Sequence, residues 1–221
     1  MIRVTAFRWV PPPAQGLVKD LRVRWALEEL SLPYETRLIG MEDRDSPDYA
    51  RLQPFGQVPV YEEVGENGQT LTLFESGAIL QHIGERWGLL PAELAARAEA
   101  IQWLFAALSS IEPWVQMYAL AVGIFKDEDW AKLQRPWIQD LAEKRLDQLA
   151  ARLGDREWLG DGFTVADVLM VTVLRILRST DLLDSRPTLK AYRARGEARP
   201  AFQRALAAQL AVFAENEPAA A

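Results

Sequence analysis

The chain has 221 residues, 49 % of them hydrophobic and 25 % charged, which suits one large or two small globular domains and excludes a largely disordered chain. Its net charge of −6, with Lys and Arg interspersed among Asp and Glu, argues against nucleic acid as the main partner, because a phosphate backbone calls for clustered cations. The absence of cysteine excludes disulfides, thiolate metal sites and a protein thiol nucleophile.

Ile2–Phe7, rich in β-branched and aromatic residues, predicts a first strand. Pro11, Pro12 and Pro13 can continue neither a central strand nor a helix, and Gly16 closes the loop they begin. Apolar residues at Leu17, Leu21 and Trp25, and at Val23, Leu27 and Leu30, predict a helix from Leu17 to Leu30 with Glu28 and Glu29 in water. Pro33 ends it. Tyr34–Ile39 reads as a second strand, and the charged stretch from Gly40 to Asp48 as a loop with one helical turn. Val58–Val64 and Thr70–Phe74 make a hairpin around Asn67-Gly68, and Glu75-Ser76-Gly77 opens a helix that runs through Trp87. From Glu93 onward the pattern is helical, broken near Lys126–Asp129, Gly154, Gly160–Gly162 and Arg186-Pro187.

The fold class is therefore α/β followed by all-α. A four-stranded mixed sheet with helices is expected over residues 1–88, a helical domain over 93–214, and a frayed tail over 215–221. No apolar run reaches the roughly 18–20 residues that span a bilayer, and the N-terminus carries no signal-peptide pattern, so a cytoplasmic protein without membrane contact is expected.

Two segments carry chemistry. In Gln53-Pro54-Phe55-Gly56-Gln57-Val58-Pro59, a proline enters a strand to which it gives no donor. A cis Val58-Pro59 bond would turn the chain and leave the backbone of Val58 open to an extended peptide; an ordinary trans turn is the plainer alternative. In Phe74-Glu75-Ser76-Gly77-Ala78-Ile79-Leu80, an acceptor and a hydroxyl stand at a positive helix N-terminus. Amides there suit a carboxylate and Glu75 suits an ammonium, so the pair fits a free amino-acid end; a simple Ser76 N-cap is the alternative.

Taken together, Pro54–Pro59, the hairpin and Leu73–Leu80 resemble the glutathione-binding half of cytosolic glutathione transferases, with nu-like and phi-like features, over nearly the whole chain. The resemblance implies a thioredoxin-like first domain, a helical second domain and a homodimer. It implies glutathione as co-substrate, a hydrophobic small molecule as second substrate, and neither metal nor nucleotide. By position, Val58 and Pro59 would present backbone to the cysteinyl part of glutathione, Glu75 and Ser76 would hold the γ-glutamyl end, and Gln57 would approach the glycyl end. Trp9, Trp103, Trp114 and Tyr118 would wall the electrophile pocket, with plain packing as the alternative. Gly162–Val168 resembles the family's buried-helix capping motif: Thr164 and Asp167 have capping-box spacing, a folding feature.

One feature departs from the family. The loop Arg8–Lys19 holds no Ser, Thr, Tyr or Cys to face the glutathione sulfur, and Phe7 stands where a Tyr is expected. Thr5, Arg8, Trp9, Gln15 or backbone amides near Gly16 and Leu17 are the remaining candidates for stabilising a thiolate. The activity expected is conjugation of the glutathione thiolate to a hydrophobic electrophile. Glutathione-dependent disulfide or peroxide reduction and a non-catalytic binding role are the alternatives, the last favoured by the missing hydroxyl.

Overall fold

The computed structural model describes residues 1–218 and divides into two compact units, one comprising residues 1–88 with the segment from Arg199 onward, the other Leu89–Ala198. The last part of the expected tail, Ala219–Ala221, lies outside the described residues.

In the first unit, strands β1 (Ile2–Phe7), β2 (Tyr34–Ile39), β3 (Val60–Val64) and β4 (Thr70–Phe74) form one sheet in the order β2-β1-β3-β4. β1 and β2 run parallel; β3 is antiparallel to both β1 and β4. Helix α1 (Asp20–Glu29) makes the crossover between the parallel strands, α2 (Pro47–Ala50) is a single turn, and α3 (Ser76–Trp87) follows β4. This is the thioredoxin-like arrangement. Ile2, Val4 and Ala6 of β1 are buried with Leu21, Val23 and Trp25 of α1 and Ile79, Leu80 and Ile83 of α3, so burial of apolar area is the main force closing the unit. On β3, Glu63 is buried and accepts from Tyr61 (2.9 Å), His82 (3.0 Å) and Arg86 (2.7 Å). Burial would raise its pKa, but the His82 and Tyr61 hydrogen bonds and the Arg86 charge prevail and hold it below the ordinary value. The lone histidine of the chain is thus bound to a structural carboxylate.

The helical unit holds α4 (Leu94–Ala106), α5 (Glu112–Val122), α6 (Asp129–Leu153), α7 (Val165–Arg175) and α8 (Pro187–Glu197). A π-helical turn at Ala107–Ile111 joins α4 to α5 without a loop. Ten of the eleven residues of α7, Val165 to Leu174, are buried, which explains why its apolar pattern runs all round rather than along one face. A Cβ on Gly196 of α8 would meet Val171 Cγ2 at 2.6 Å, so the glycine allows α7 and α8 their close approach. The Thr164–Asp167 capping box is present: Thr164 N–H donates to Asp167 Oδ2 (2.9 Å), and Ala166 N–H donates to Thr164 Oγ1 (3.2 Å). No helix among the described residues is long and apolar enough to cross a membrane.

Three expectations are corrected. The last helix, α9 (Pro200–Glu215), sits in the sheet unit rather than the helical domain, because its buried face, Phe202 included, packs on α1. Glu215, expected in the tail, ends that helix. Glu28 and Glu29 do not face water alone: Glu29 takes both Arg199 donors at 2.6 and 2.9 Å, and Glu28 accepts from Arg204 at 2.7 Å.

Candidate functional site

The sheet register brings the two motifs together. Val60 pairs with Phe74, so the segment entering β3 and the segment leaving β4 lie side by side at one end of the sheet. Val4 pairs with Tyr61, and the same register carried on sets Phe7 beside Val58. The Val58-Pro59 peptide is cis. Val58 and Pro59 are buried, and neither the N–H nor the C=O of Val58 has a backbone partner among the described residues. Gln57 is exposed, and its carbonyl is fixed by the Tyr49 hydroxyl at 2.6 Å.

A cleft of about 280 Å³ opens here, with Phe7, Leu17, Val18, Met41 and Val58 as its apolar lining and Lys19, Arg44 and Gln57 as its polar side chains. Beneath it Phe7, Val18 and Leu52 pack on the buried cluster of Ile39, Tyr49, Val58 and Val60. Arg44 is itself positioned, its Nε donating to the Gly56 carbonyl at 2.8 Å. Lys19 and Arg44 were not legible as site residues in the sequence, since isolated charges in loops carry no motif.

At the start of α3, Glu75 is exposed and adopts φ 68°, ψ 113°. That positive φ is unusual for a residue with a side chain and costs on the order of 1–3 kcal/mol, a form of strain that clusters at binding sites. Glu75, not Ser76, is the N-cap, and its side chain makes no capping bond. Ser76 is buried, and its Oγ accepts from Arg22 Nη1 at 3.1 Å. A guanidinium thus stands behind the helix N-terminus and adds to its positive end.

The candidates for thiolate stabilisation do not converge on the cleft. Thr5 is fully buried, with Oγ1 unpartnered among the described residues, while Phe7 on the same strand face forms the wall. Arg8 lies 3.5 Å from Glu42, and Gln15 Nε2 donates to the Val10 carbonyl at 3.1 Å. Trp9 is half-buried, and its Nε1 has no partner among the described residues. The helix expected to start at Leu17 starts at Asp20, and the Leu17 N–H is bonded to the Ala14 carbonyl at 3.0 Å. Its amide is therefore engaged in a turn instead of ending a helix.

In the helical unit, Trp103 is half-buried, with Arg152 5.6 Å from its ring centre, and Trp114 meets Trp137 edge-on at 5.6 Å. Tyr118, expected to wall a pocket, is only 5 % exposed and belongs to the packing of that unit.

The glutathione S-transferase N-terminal domain model matches residues 15–85 and the glutathione S-transferase C-terminal domain model residues 138–200. A glutathione S-transferase of Hyoscyamus muticus is 30 % identical over 84 % of this chain and 92 % of its own length. The disulfide-bond oxidoreductase YfcG of Escherichia coli is 30 % identical over 81 % of this chain and 86 % of its own. The crystal structure of a glutathione transferase family member from Pseudomonas fluorescens, with two glutathione bound, superposes with a TM-score of 0.80 at 30 % identity, covering 93 % of this chain and 92 % of that one. A thioredoxin-like unit carrying this cleft, with a helical unit after it, defines the class, and the chain belongs to the glutathione S-transferase family.

Proposed function

We propose that the chain binds glutathione in the cleft between Phe7 and Val58 and conjugates its thiolate to a hydrophobic electrophile. The observation that carries this is the open backbone of Val58 beside the strained Glu75 and the arginine-backed Ser76, at one end of one sheet. In this reading the Val58 N–H and C=O pair with the cysteinyl unit as an added strand would. Pro59 sets the turn, Glu75 accepts from the γ-glutamyl ammonium, and the Ser76 hydroxyl and amide take its carboxylate. Gln57, with Lys19 and Arg44 on the same lining, meets the glycyl carboxylate. Trp9, two residues on from Phe7, is the proposed electrophile contact on this unit. The same reading takes the chain as a cytoplasmic homodimer.

Glutathione-dependent reduction of disulfides or peroxides is the second reading. It is favoured by a cleft lining without hydroxyl or thiol. When a glutathionyl disulfide occupies the site, its sulfur is attacked rather than attacking. The thiolate of a second glutathione forms the new disulfide and the substrate thiolate leaves, so the site need not activate the sulfur it holds.

Calorimetry with glutathione tests the site. Glu75→Ala and Ser76→Ala each remove a charge-assisted hydrogen bond worth roughly 1.5–3 kcal/mol, so each weakens binding about tenfold or more. Unchanged affinity in both folded variants removes the proposed site. Conjugation of an aromatic electrophile and reduction of a disulfide, assayed side by side, then separate the two readings.

A further inference from the structure

Helix α9 does more than cover α1. Near its C-terminal end it carries Gln209, which is 1 % exposed and reaches the opposite end of α1 from the Glu28 and Glu29 ion pairs. Its Nε2 donates to Asp20 Oδ1 at 2.7 Å and to the Val18 carbonyl at 3.3 Å. The Val18 carbonyl can only accept, so the amide orientation is forced: the NH₂ group must face α1. Asp20 is fully buried, and its other oxygen takes Arg24 Nε at 2.7 Å. The Gln209 carbonyl oxygen, by contrast, is buried without a partner among the described residues. A buried amide held with one end unsatisfied costs stability, and such groups call for an explanation beyond packing.

The partners supply one. Val18 and Lys19 immediately precede Asp20; both line the cleft, and Val18 packs on the cluster that contains Val58. This stretch leads into α1, which begins at Asp20, and is tied to its first turn through the Val18 carbonyl, which accepts from Leu21 N–H at 3.0 Å, and the Lys19 carbonyl, which accepts from Arg22 N–H at 3.2 Å. Gln209 adds one long-range bond to this stretch, at the Val18 carbonyl, and a second to Asp20 where the helix begins. Resting on the reading of this cleft as the glutathione site, we propose that Gln209 is a positioning residue for it, fixing the Val18–Lys19 wall through a bond to Val18 that spans 191 residues of sequence. It touches no substrate; it sets the width of the slot into which the peptide is laid.

The test is calorimetric titration with glutathione, alongside thermal unfolding, of the full-length wild type, Gln209→Met, Gln209→Asn and Phe202→Leu. Gln209→Met fills the same volume without donors, and Gln209→Asn keeps the amide on a stem one methylene shorter. Phe202→Leu loosens the same helix pair two turns away, where Phe202 meets Trp25 edge-on at 4.9 Å. The Gln209 variants are expected to raise the glutathione Kd about fivefold to tenfold, while Phe202→Leu changes it less than about twofold although it melts at least as early. Amides of Val18–Leu21 exchange faster in the Gln209 variants than in Phe202→Leu. If Gln209→Met does not fold, Gln209→Asn carries the comparison. An unchanged Kd in a folded Gln209 variant overturns the proposal, as does an equal rise in Phe202→Leu, which would make α9 a general support. A wild type that takes up no glutathione overturns the reading of the cleft and this proposal with it. A wild type that binds while the Gln209 variants bind equally well overturns this proposal alone.

Discussion

Replacing Phe7 by tyrosine is expected to raise the conjugation rate with aromatic electrophiles about tenfold or more and to lower the pKa of the bound glutathione thiol. Phe7 closes β1 and lines the cleft beside Val58, so a hydroxyl added to its ring enters the space where the proposed pairing puts the sulfur. In the wild type the polar side chains of that lining are Lys19, Arg44 and Gln57, and none is a hydroxyl or a thiol. A donor to an anion contributes roughly 1.5–3 kcal/mol, and one pKa unit corresponds to about 1.4 kcal/mol, so a fall of about one to two units follows. The stabilisation favours thiolate over thiol, which increases the nucleophile present at neutral pH. Thiolate absorbance of the glutathione complex against pH, for wild type and Phe7→Tyr, gives the shift directly. Thr5→Val belongs in the same series. Because Thr5 Oγ1 is fully buried and has no partner among the described residues, that change is expected to leave thiol pKa and rate as they are. Glutathione bound as tightly as before by Phe7→Tyr, with neither pKa nor rate moved, would exclude Phe7 from the neighbourhood of the sulfur.

Asp167→Ala is expected to lower folding stability by at least about 4 kcal/mol, well beyond an ordinary cap deletion. The Asp167 carboxylate accepts four hydrogen bonds. Oδ1 takes the Leu159 N–H at 3.0 Å and the Tyr192 hydroxyl at 2.8 Å; Oδ2 takes the Thr164 N–H at 2.9 Å and the Thr164 hydroxyl at 3.2 Å. Burial pushes this carboxyl above its ordinary pKa against the pull of those bonds, and it pushes the Tyr192 hydroxyl up as well, with the Asp167 charge adding to it. Alanine would leave several buried donors without acceptors, at about 1–3 kcal/mol for each that finds no substitute. A loss of this size is a large part of the 5–15 kcal/mol that a typical domain has in total. Thr164→Ala, which removes the cap and leaves the carboxylate its other partners, should cost only about 1 kcal/mol. Urea unfolding followed by tryptophan fluorescence reads both, since Trp158 lies 5.9 Å from the Tyr192 ring and 4.9 Å from Phe163. Equal midpoints for the two variants would mean that the carboxylate acts as a cap and nothing more.

The two motifs were legible in sequence because their residues act through local backbone geometry. A proline entering a strand, a hairpin of fixed length and a helix opening on Glu-Ser determine between them which atoms meet at the sheet end. The capping box was legible for the same reason. What period and propensity leave undetermined is the partner of a buried face. The apolar pattern of α9 shows that one side is covered and does not show that α1 covers it, so the helix was assigned to the wrong unit. Its start at Arg199-Pro200 interrupts no apolar period, although Pro200 stands at a position where proline favours helix initiation. The strand alternation that sets Thr5 on the same face as Phe7 is likewise silent on depth, and the residue proves buried rather than open to the cleft. Lys19 and Arg44 enter the site through loop conformation, which a single sequence does not encode in any short pattern. The strain at Glu75 is of the same kind, since nothing in Phe74-Glu75-Ser76 marks a positive φ.

The pairing of α1 with α9 also bears on how the protein emerges from the ribosome. Trp25 is fully buried against Phe202, and the buried carboxylate of Asp20 has its amide partner on Gln209. Synthesis proceeds at about 5–20 residues per second, so the nascent sheet unit waits many seconds for the segment that completes it. During that interval an indole and a carboxylate meant for the interior stay exposed on the surface of α1. The amino-terminal half is therefore translated early and finished late, with the whole helical unit made in between. Released at Gly88, it would be a sheet with an uncovered helix, prone to associate through the face that α9 occupies in the complete chain.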